Sequence, residues 1–180
     1  MQLRARSSKT TAWLPGVSGC ASLSPGEVVA TPPSDPPEYC FVESQADLHL
    51  SCSSITVRVV EVTAPVLRAQ TFIYVSAGPS TLYILLEGTG LQMGAPGLPE
   101  SLATSDFNHT RDAWWRIREF EGAAFVDTAP DGLAWVERMQ IPTPFSFDQV
   151  KVTLGAGTYE VVQTPGRARF RCFNQPPPCS

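Results

Sequence analysis

The chain has 180 residues, a length that suits one domain. Charged residues are only 17%, the formal net charge is −4, and 17 prolines and 13 glycines are spread along the chain. That balance disfavours a helical bundle and favours short strands joined by turns. Outside the first nine residues there is no run of Lys and Arg, so nucleic acid is not an expected partner. No stretch approaches the ~20 apolar residues of a membrane-spanning helix.

The opening "MQLRARSSK" is basic, and "VSGC" at 17–20 has the residue types of a lipoprotein cleavage site ending at Cys20. The apolar segment between them is short and contains Pro15, whereas an export segment needs about 7–15 apolar residues. Residues 1–12 are read as a disordered or truncated N-terminus, 13–172 as the domain, and 173–180 as a proline-rich tail. Trp13 is taken as the start of the first strand. "GEVVATPP" (26–33) reads as a short strand stopped by prolines, and a second is expected near 39–43. "SSITVRVVEV" (53–62) alternates: Ile55, Val57 and Val59 on one face, Thr56 and Arg58 on the other. "AQTFIYVSAGPSTLYILLEG" (69–88) reads as two strands around the turn "AGPS", each apolar on both faces. A short strand at 91–93 is followed by a long Gly- and Pro-rich loop to residue 110. The "NHT" at 108–110 has the form of a glycosylation acceptor, a match that chance also supplies.

Strands follow at 113–121 and 123–128, then "APDG". Pro130 presets the first corner of a type I turn, Asp131 suits the second, and Gly132 takes the left-handed conformation after it. A hairpin with Leu133–Met139 is expected. In its simplest register Asp127 faces Trp135, Phe125 faces Glu137 and Val126 faces Val136. Further strands are read at 147–157, with Val150, Val152 and Leu154 inward, at 158–164, and near 169–173. About a dozen short strands, with no internal repeat, make a sandwich or barrel.

Five cysteines, Cys20, Cys40, Cys52, Cys172 and Cys179, form no CxxC pair, so no metal site and no cofactor are expected. Cystines in an oxidising compartment fit better. Nearness in sequence suggests Cys40–Cys52 and Cys172–Cys179, leaving Cys20 over.

On the strand at 113–121, Trp115 and Ile117 form the core pair, while Trp114, Arg116 and Arg118 share the other face. An indole beside guanidinium donors can stack on a sugar ring and bond its hydroxyls. With Asp127, Trp135 and Glu137 of the hairpin, these six residues are the candidate ligand-binding set. The bland alternative is a solvated face, with the arginines paired to Asp127 or Glu137 across strands and their stems covering Trp114.

The stretch "FNHTRDAWWRIREFEGAAFVDTAPDGLAWV" (107–136) resembles a segment of bacterial and phage proteins of the concanavalin A-like lectin/glucanase type. "GEVVATPP", "LSCSSITVRVVEV" (50–62) and "PFSFDQVKVTLGAGTYE" (144–160) are similar to other segments of those domains. The resemblance runs from about Trp13 to Phe170. Val126 stands where an aromatic is usual and Ala129 where Ser is usual. It implies an all-β, two-sheet antiparallel jelly-roll sandwich with one concave sheet, and carbohydrate as the first ligand class.

The catalytic E-x-D-x-E strand of the related glucanases is absent, as is G-x-S-x-G. A non-catalytic binding module of a secreted or surface bacterial protein is therefore the leading expectation, with carbohydrate or another surface protein as partner. A structural or adhesion domain is the alternative, and a degenerate glycoside hydrolase the least favoured. An exposed Trp114 would speak for the module and a covered one for the structural domain. Ligand binding in the loops at 94–110 is the other location to consider.

Overall fold

Alternation in β5 (Ser54–Thr63) sets the architecture: Ile55, Val57 and Val59 are buried while Arg58 is exposed. The computed structural model describes residues 13–15, 19–97 and 103–177. It contains two seven-stranded antiparallel sheets. The first runs in the order β1 (Trp13–Pro15), β4 (Tyr39–Ser44), β13 (Lys151–Thr158), β6 (Ala69–Ala77), β7 (Ser80–Glu87), β8 (Gly90–Gly94) and β9 (Ala103–Asp106). The second runs β12 (Val136–Pro142), β11 (Ala123–Ala129), β10 (Trp114–Phe120), β5, β14 (Gly166–Arg171), β3 (Glu27–Ala30) and β2 (Ala21–Ser24).

Between the sheets lies one aliphatic core. Val42, Ile73, Val75, Leu82, Ile84, Val152 and Leu154 meet Ile55, Val57, Trp115, Ile117, Val126 and Phe170 there. The inward assignment of Val150, Val152, Leu154, Trp115 and Ile117 therefore holds. No helix occurs among the described residues. The jelly-roll sandwich expected from the sequence is the observed fold.

Three expectations are corrected. The loop after residue 94 contains β9, which pairs with β8. Of the strand expected at 158–164, only Thr158 belongs to β13; the chain there crosses from one sheet to the other, leaving Tyr159 and Val161 exposed. The hairpin register also differs. Asp127 faces Glu137, Thr128 faces Val136, and Val126 faces Met139 across a bulge that leaves Arg138 over. The cause is the turn: Asp131 Oδ1 accepts the N–H of both Leu133 and Ala134 at 2.8 Å, which delays β12 until Val136.

Cystine pairing is corrected too: Cys20 is bonded to Cys40, and Cys52 is free and exposed. Cys40 points inward from β4 and is fully buried, whereas Cys52 occupies a turn at the surface. Thr31 holds the bonded pair together: its N–H donates to Cys20 O at 3.2 Å, and Cys40 Sγ lies 3.4 Å from its carbonyl. Cys20 leads into β2 of the second sheet and Cys40 belongs to the first, so the bond ties the sheets at their rim. Cys172 is also in a disulfide; Cys179, expected as its partner, lies outside the described residues, as do residues 1–12. Of the tail, Asn174 is docked on β5, its N–H donating to Thr56 O and its Oδ1 accepting Thr56 N–H, both at 2.9 Å.

Peptide mapping after alkylation without reduction should recover a Cys20–Cys40 cross-linked peptide and an alkylated Cys52. Cys40→Ala should lower urea stability by about 2–4 kcal/mol, and Cys52→Ser should leave it unchanged. Equal stability of the two variants would show that the rim bond contributes nothing.

Candidate functional site

The structure brings the six residues of the sequence-derived set onto one neighbourhood of the second sheet, and their mutual contacts decide what they can do. Asp127, 1% exposed, is shared by two guanidinia: Arg116 Nε at 2.8 Å and Arg118 Nε at 2.9 Å. Arg118 also reaches Glu137 at 3.3 Å. Arg116 lies over the Trp135 ring at 4.2 Å, and Arg118 over Phe125 at 3.7 Å. Trp114 is only 4% exposed and packs with Ala129 and Cys172. Gly132, at φ 75°, approaches it so closely that a Cβ there would sit 3.0 Å from the indole and 3.1 Å from Pro177. The "APDG" turn thus folds back on Trp114. A covered indole cannot stack on a sugar, which removes Trp114 as a ligand platform.

Behind this face is a buried polar cluster that the sequence reading did not single out. Asp112 is fully buried. It accepts Arg111 Nη2 at 2.7 Å, the Asn108 N–H at 2.9 Å, Thr128 Oγ1–H at 2.8 Å and Arg138 Nη2 at 2.8 Å. Its carbonyl accepts the Trp115 indole N–H at 3.0 Å. Arg138, the bulged residue, also donates to Thr128 Oγ1. Burial pushes the Asp112 carboxyl upward, but Arg111, the Asn108 N–H, Thr128 and Arg138 together hold it below the usual range. The bonds from Thr128, Arg138 and Trp115 hold loop to sheet, and those from Asn108 and Arg111 brace the loop itself, so the cluster anchors residues 107–113. Asn108 caps that loop, its Oδ1 accepting the N–H groups of Thr110 and Arg111. No sequence signal marks the cluster except the bare "RD" before the tryptophans.

The outward face of the first sheet has a different character. Parity in β6 and β7 puts aliphatics inside and Phe72, Tyr74, Tyr83 and Leu85 outside. With Tyr39 and Phe41 of β4 they form an aromatic field. Phe72 and Tyr74 stack at 4.4 Å, and Tyr39–Phe72 and Tyr74–Tyr83 meet edge to face at 6.0 and 6.3 Å. Glycine makes room for this field: a Cβ on Gly157 would be 2.1 Å from the Tyr39 ring, and one on Gly155 2.6 Å from Phe72. Tyr39 is 38% exposed, and Phe41, Tyr74 and Tyr83 are half-buried.

A polar row borders the rings. Tyr39 OH donates to Gln70 Oε1 at 3.0 Å, and Gln70 Nε2 to Glu87 Oε2 at 3.0 Å. Glu87 Oε1 accepts Tyr159 OH at 2.6 Å and the N–H of residue 68 at 2.9 Å. Burial raises the Glu87 carboxyl, yet the bonds from Tyr159, Gln70 and that N–H outweigh it and keep the group below its ordinary value. Burial pushes the Tyr74 phenol well above its ordinary range, with Tyr39 and Tyr83 adding to it; burial also raises Tyr83, and burial with Glu87 raises Tyr39. These phenols are neutral hydrogen-bond donors at physiological pH. The signal was present in the sequence: in "QTFIYV" and "TLYILLE" the rings share one parity, with Leu85 beside them, and the other aliphatics take the opposite one.

Among the described residues the strands of this face carry the carboxylates Glu43, Glu87 and Asp106, no two of them opposite each other on adjacent strands, and Glu160 lies beside the polar row, paired with Arg68 at 2.6 Å. Among the described residues no group of three or more His, Cys, Asp or Glu side chains could hold a metal ion.

No family model and no curated protein matches the chain. Solved structures do. The β-glucanase of Bacillus licheniformis superposes with a TM-score of 0.62 at 11% identity, over 92% of this chain and 92% of that one. The fold is the concanavalin A-like jelly roll. The exoplasmic/lumenal domain of VIP36, in a Ca2+/Man3GlcNAc-bound form, gives a TM-score of 0.61 at 10% identity, over 89% of this chain and 80% of that one. Rv0315 of Mycobacterium tuberculosis, described as a pseudo β-1,3-glucanase, gives 0.55 at 10% identity, over 80% and 71%. The structural neighbours of this scaffold thus include a β-glucanase and a domain solved with Man3GlcNAc bound.

Trp114→Ala should cost about 3–5 kcal/mol in urea unfolding, as for a large buried ring. A loss under 1 kcal/mol would mean that the turn does not depend on it. Asp112→Asn should cost about 3 kcal/mol by stranding Arg138. Because the folded Asp112 carboxyl is depressed, its contribution is present above pH ~4 and lost as pH falls through the folded value. Wild-type stability should therefore decline below pH ~4 more steeply than that of Asp112→Asn. Parallel pH profiles would exclude Asp112 as the source.

Proposed function

We propose that the chain is a non-catalytic carbohydrate-binding module of a secreted or surface bacterial protein, with the aromatic face of the first sheet as its binding surface. The observation that carries this reading is the set of partly exposed rings, Tyr39, Phe41, Tyr74 and Tyr83, beside the Gln70–Glu87–Tyr159 row. Rings give a sugar an apolar platform, and adjacent neutral phenols and amides bond its hydroxyls. The jelly-roll scaffold supports the reading by analogy alone. The rim cystine suits an oxidising compartment.

Catalysis is not part of the proposal. Glycoside hydrolysis needs two carboxyl groups about 5–9.5 Å apart across one ring, one of them protonated as the acid. Glu87 is held ionised by its three donors, and the sequence lacks the E-x-D-x-E strand that sets two such carboxylates across one ring.

A structural or adhesion domain is the second reading. It is favoured by the covered Trp114 and by the ion-paired hairpin around Asp127.

A glycan array on wild type, Tyr83→Ala and Tyr74→Ala separates the two. Wild-type binding that weakens about tenfold in Tyr83→Ala supports the module. Absence of binding to every neutral or acidic glycan, or binding indifferent to both substitutions, removes this face as the site.

A further inference from the structure

Beyond the hairpin, the outward face of the second sheet gathers cations that are scattered in sequence. Arg167, Arg169 and Arg171 leave β14 on the same side as Arg58 of β5 and as Arg116 and Arg118 of β10. The carboxylates they meet are Glu27, Glu61, Asp127 and Glu137. Six guanidinia against four carboxylates leave a positive surplus on a chain whose net charge is −4, so the rest of the molecule is the more negative.

The carboxylates are shared rather than matched one to one. Glu27 Oε1 accepts Arg169 Nη2 at 2.7 Å and Arg171 Nε at 2.8 Å. Arg116, Arg167 and Arg171 engage their acids through Nε, one of the five N–H donors of each guanidinium. Arg58 is exposed and takes part in no ion pair among the described residues; in the register it stands between Arg171 and Trp114. The ion pairs thus orient the guanidinia without using up their donors. Guanidinium forks held this way suit carboxylate and sulfate groups.

We propose that this arginine face docks an acidic polysaccharide, a sugar chain bearing carboxylates or sulfates. Charge spacing selects that partner over nucleic acid. Neighbouring strands place cations about 5 Å apart, alternate residues of one strand place them about 7 Å apart, and carboxylates interrupt both series. A duplex offers one phosphate per ~1.7 Å and needs a denser array. A polysaccharide with charges spaced by whole sugar units fits the sparser one. The negative remainder of the molecule repels a polyanion and confines it to this face. The Tyr83 face belongs to the other sheet, so the two proposals stand or fall separately.

The test is binding of the full chain to immobilised polygalacturonate, which carries one carboxylate per sugar unit, at 50 mM salt, with dextran and duplex DNA as alternative ligands. Arg58→Glu is the decisive variant, because Arg58 is exposed and in no ion pair among the described residues; an unchanged urea midpoint checks that its fold is kept. Wild type should bind polygalacturonate and not dextran, and bind DNA more weakly than polygalacturonate. Arg58→Glu should lose about tenfold in affinity, and Arg58→Gln with Arg171→Gln should lower the slope of log affinity against log salt. Lys151→Gln, which removes a cation of the first sheet, should bind as wild type does. No binding to polygalacturonate, equal binding by Arg58→Glu and wild type, an equal loss in Lys151→Gln, or duplex DNA bound as tightly as polygalacturonate would each overturn the proposal.

Discussion

The sandwich depends on one constraint: each long strand gives one parity of its side chains to the space between the sheets. A residue-by-residue slip in any strand would send its aliphatic set to solvent and its polar set to the core. The inward sets of β5, β6, β7, β10 and β13 are accordingly dominated by Ile, Val, Leu and Trp. Everything with chemical character is thereby forced onto the two outward faces and the rim.

The two outward faces answer this differently. On the second sheet arginines dominate, and the carboxylates among them are shared between guanidinia. Their planar groups lie over Trp135 and Phe125, so charge and apolar surface are covered by the same side chains. On the first sheet rings dominate, and they lie flat because Gly155 and Gly157 of β13 leave no Cβ beneath them. One face is suited to anions and the other to ring-shaped polar ligands. At the rim, the Asp112 cluster and the Cys20–Cys40 bond fasten loops to sheets where the core is too thin to do so.

Much of the hairpin's role follows from "APDG". The turn was legible, but the register was not, because Asp131 captures two backbone N–H groups and β12 starts later than the hydrophobic pattern suggests. Arg138, left over by the resulting bulge, reaches Asp112, while Glu137 stays at the surface with Arg118. That single offset separates the buried anchor from the surface ion pairs.

Sequence alone determined the all-β class, the inward parities of β5, β10 and β13, and the pairing of Trp114 with Arg116 and Arg118 on one face. These are local properties, readable from period-two alternation and turn chemistry. The tertiary structure decided that Trp114 is covered, that Cys40 meets Cys20 and not Cys52, that Asp112 is buried, and that arginines from β5, β10 and β14 form one array. Each of these depends on contacts between segments far apart in the chain. Strand order is set by how the aliphatic faces close over one another, and no local pattern encodes it.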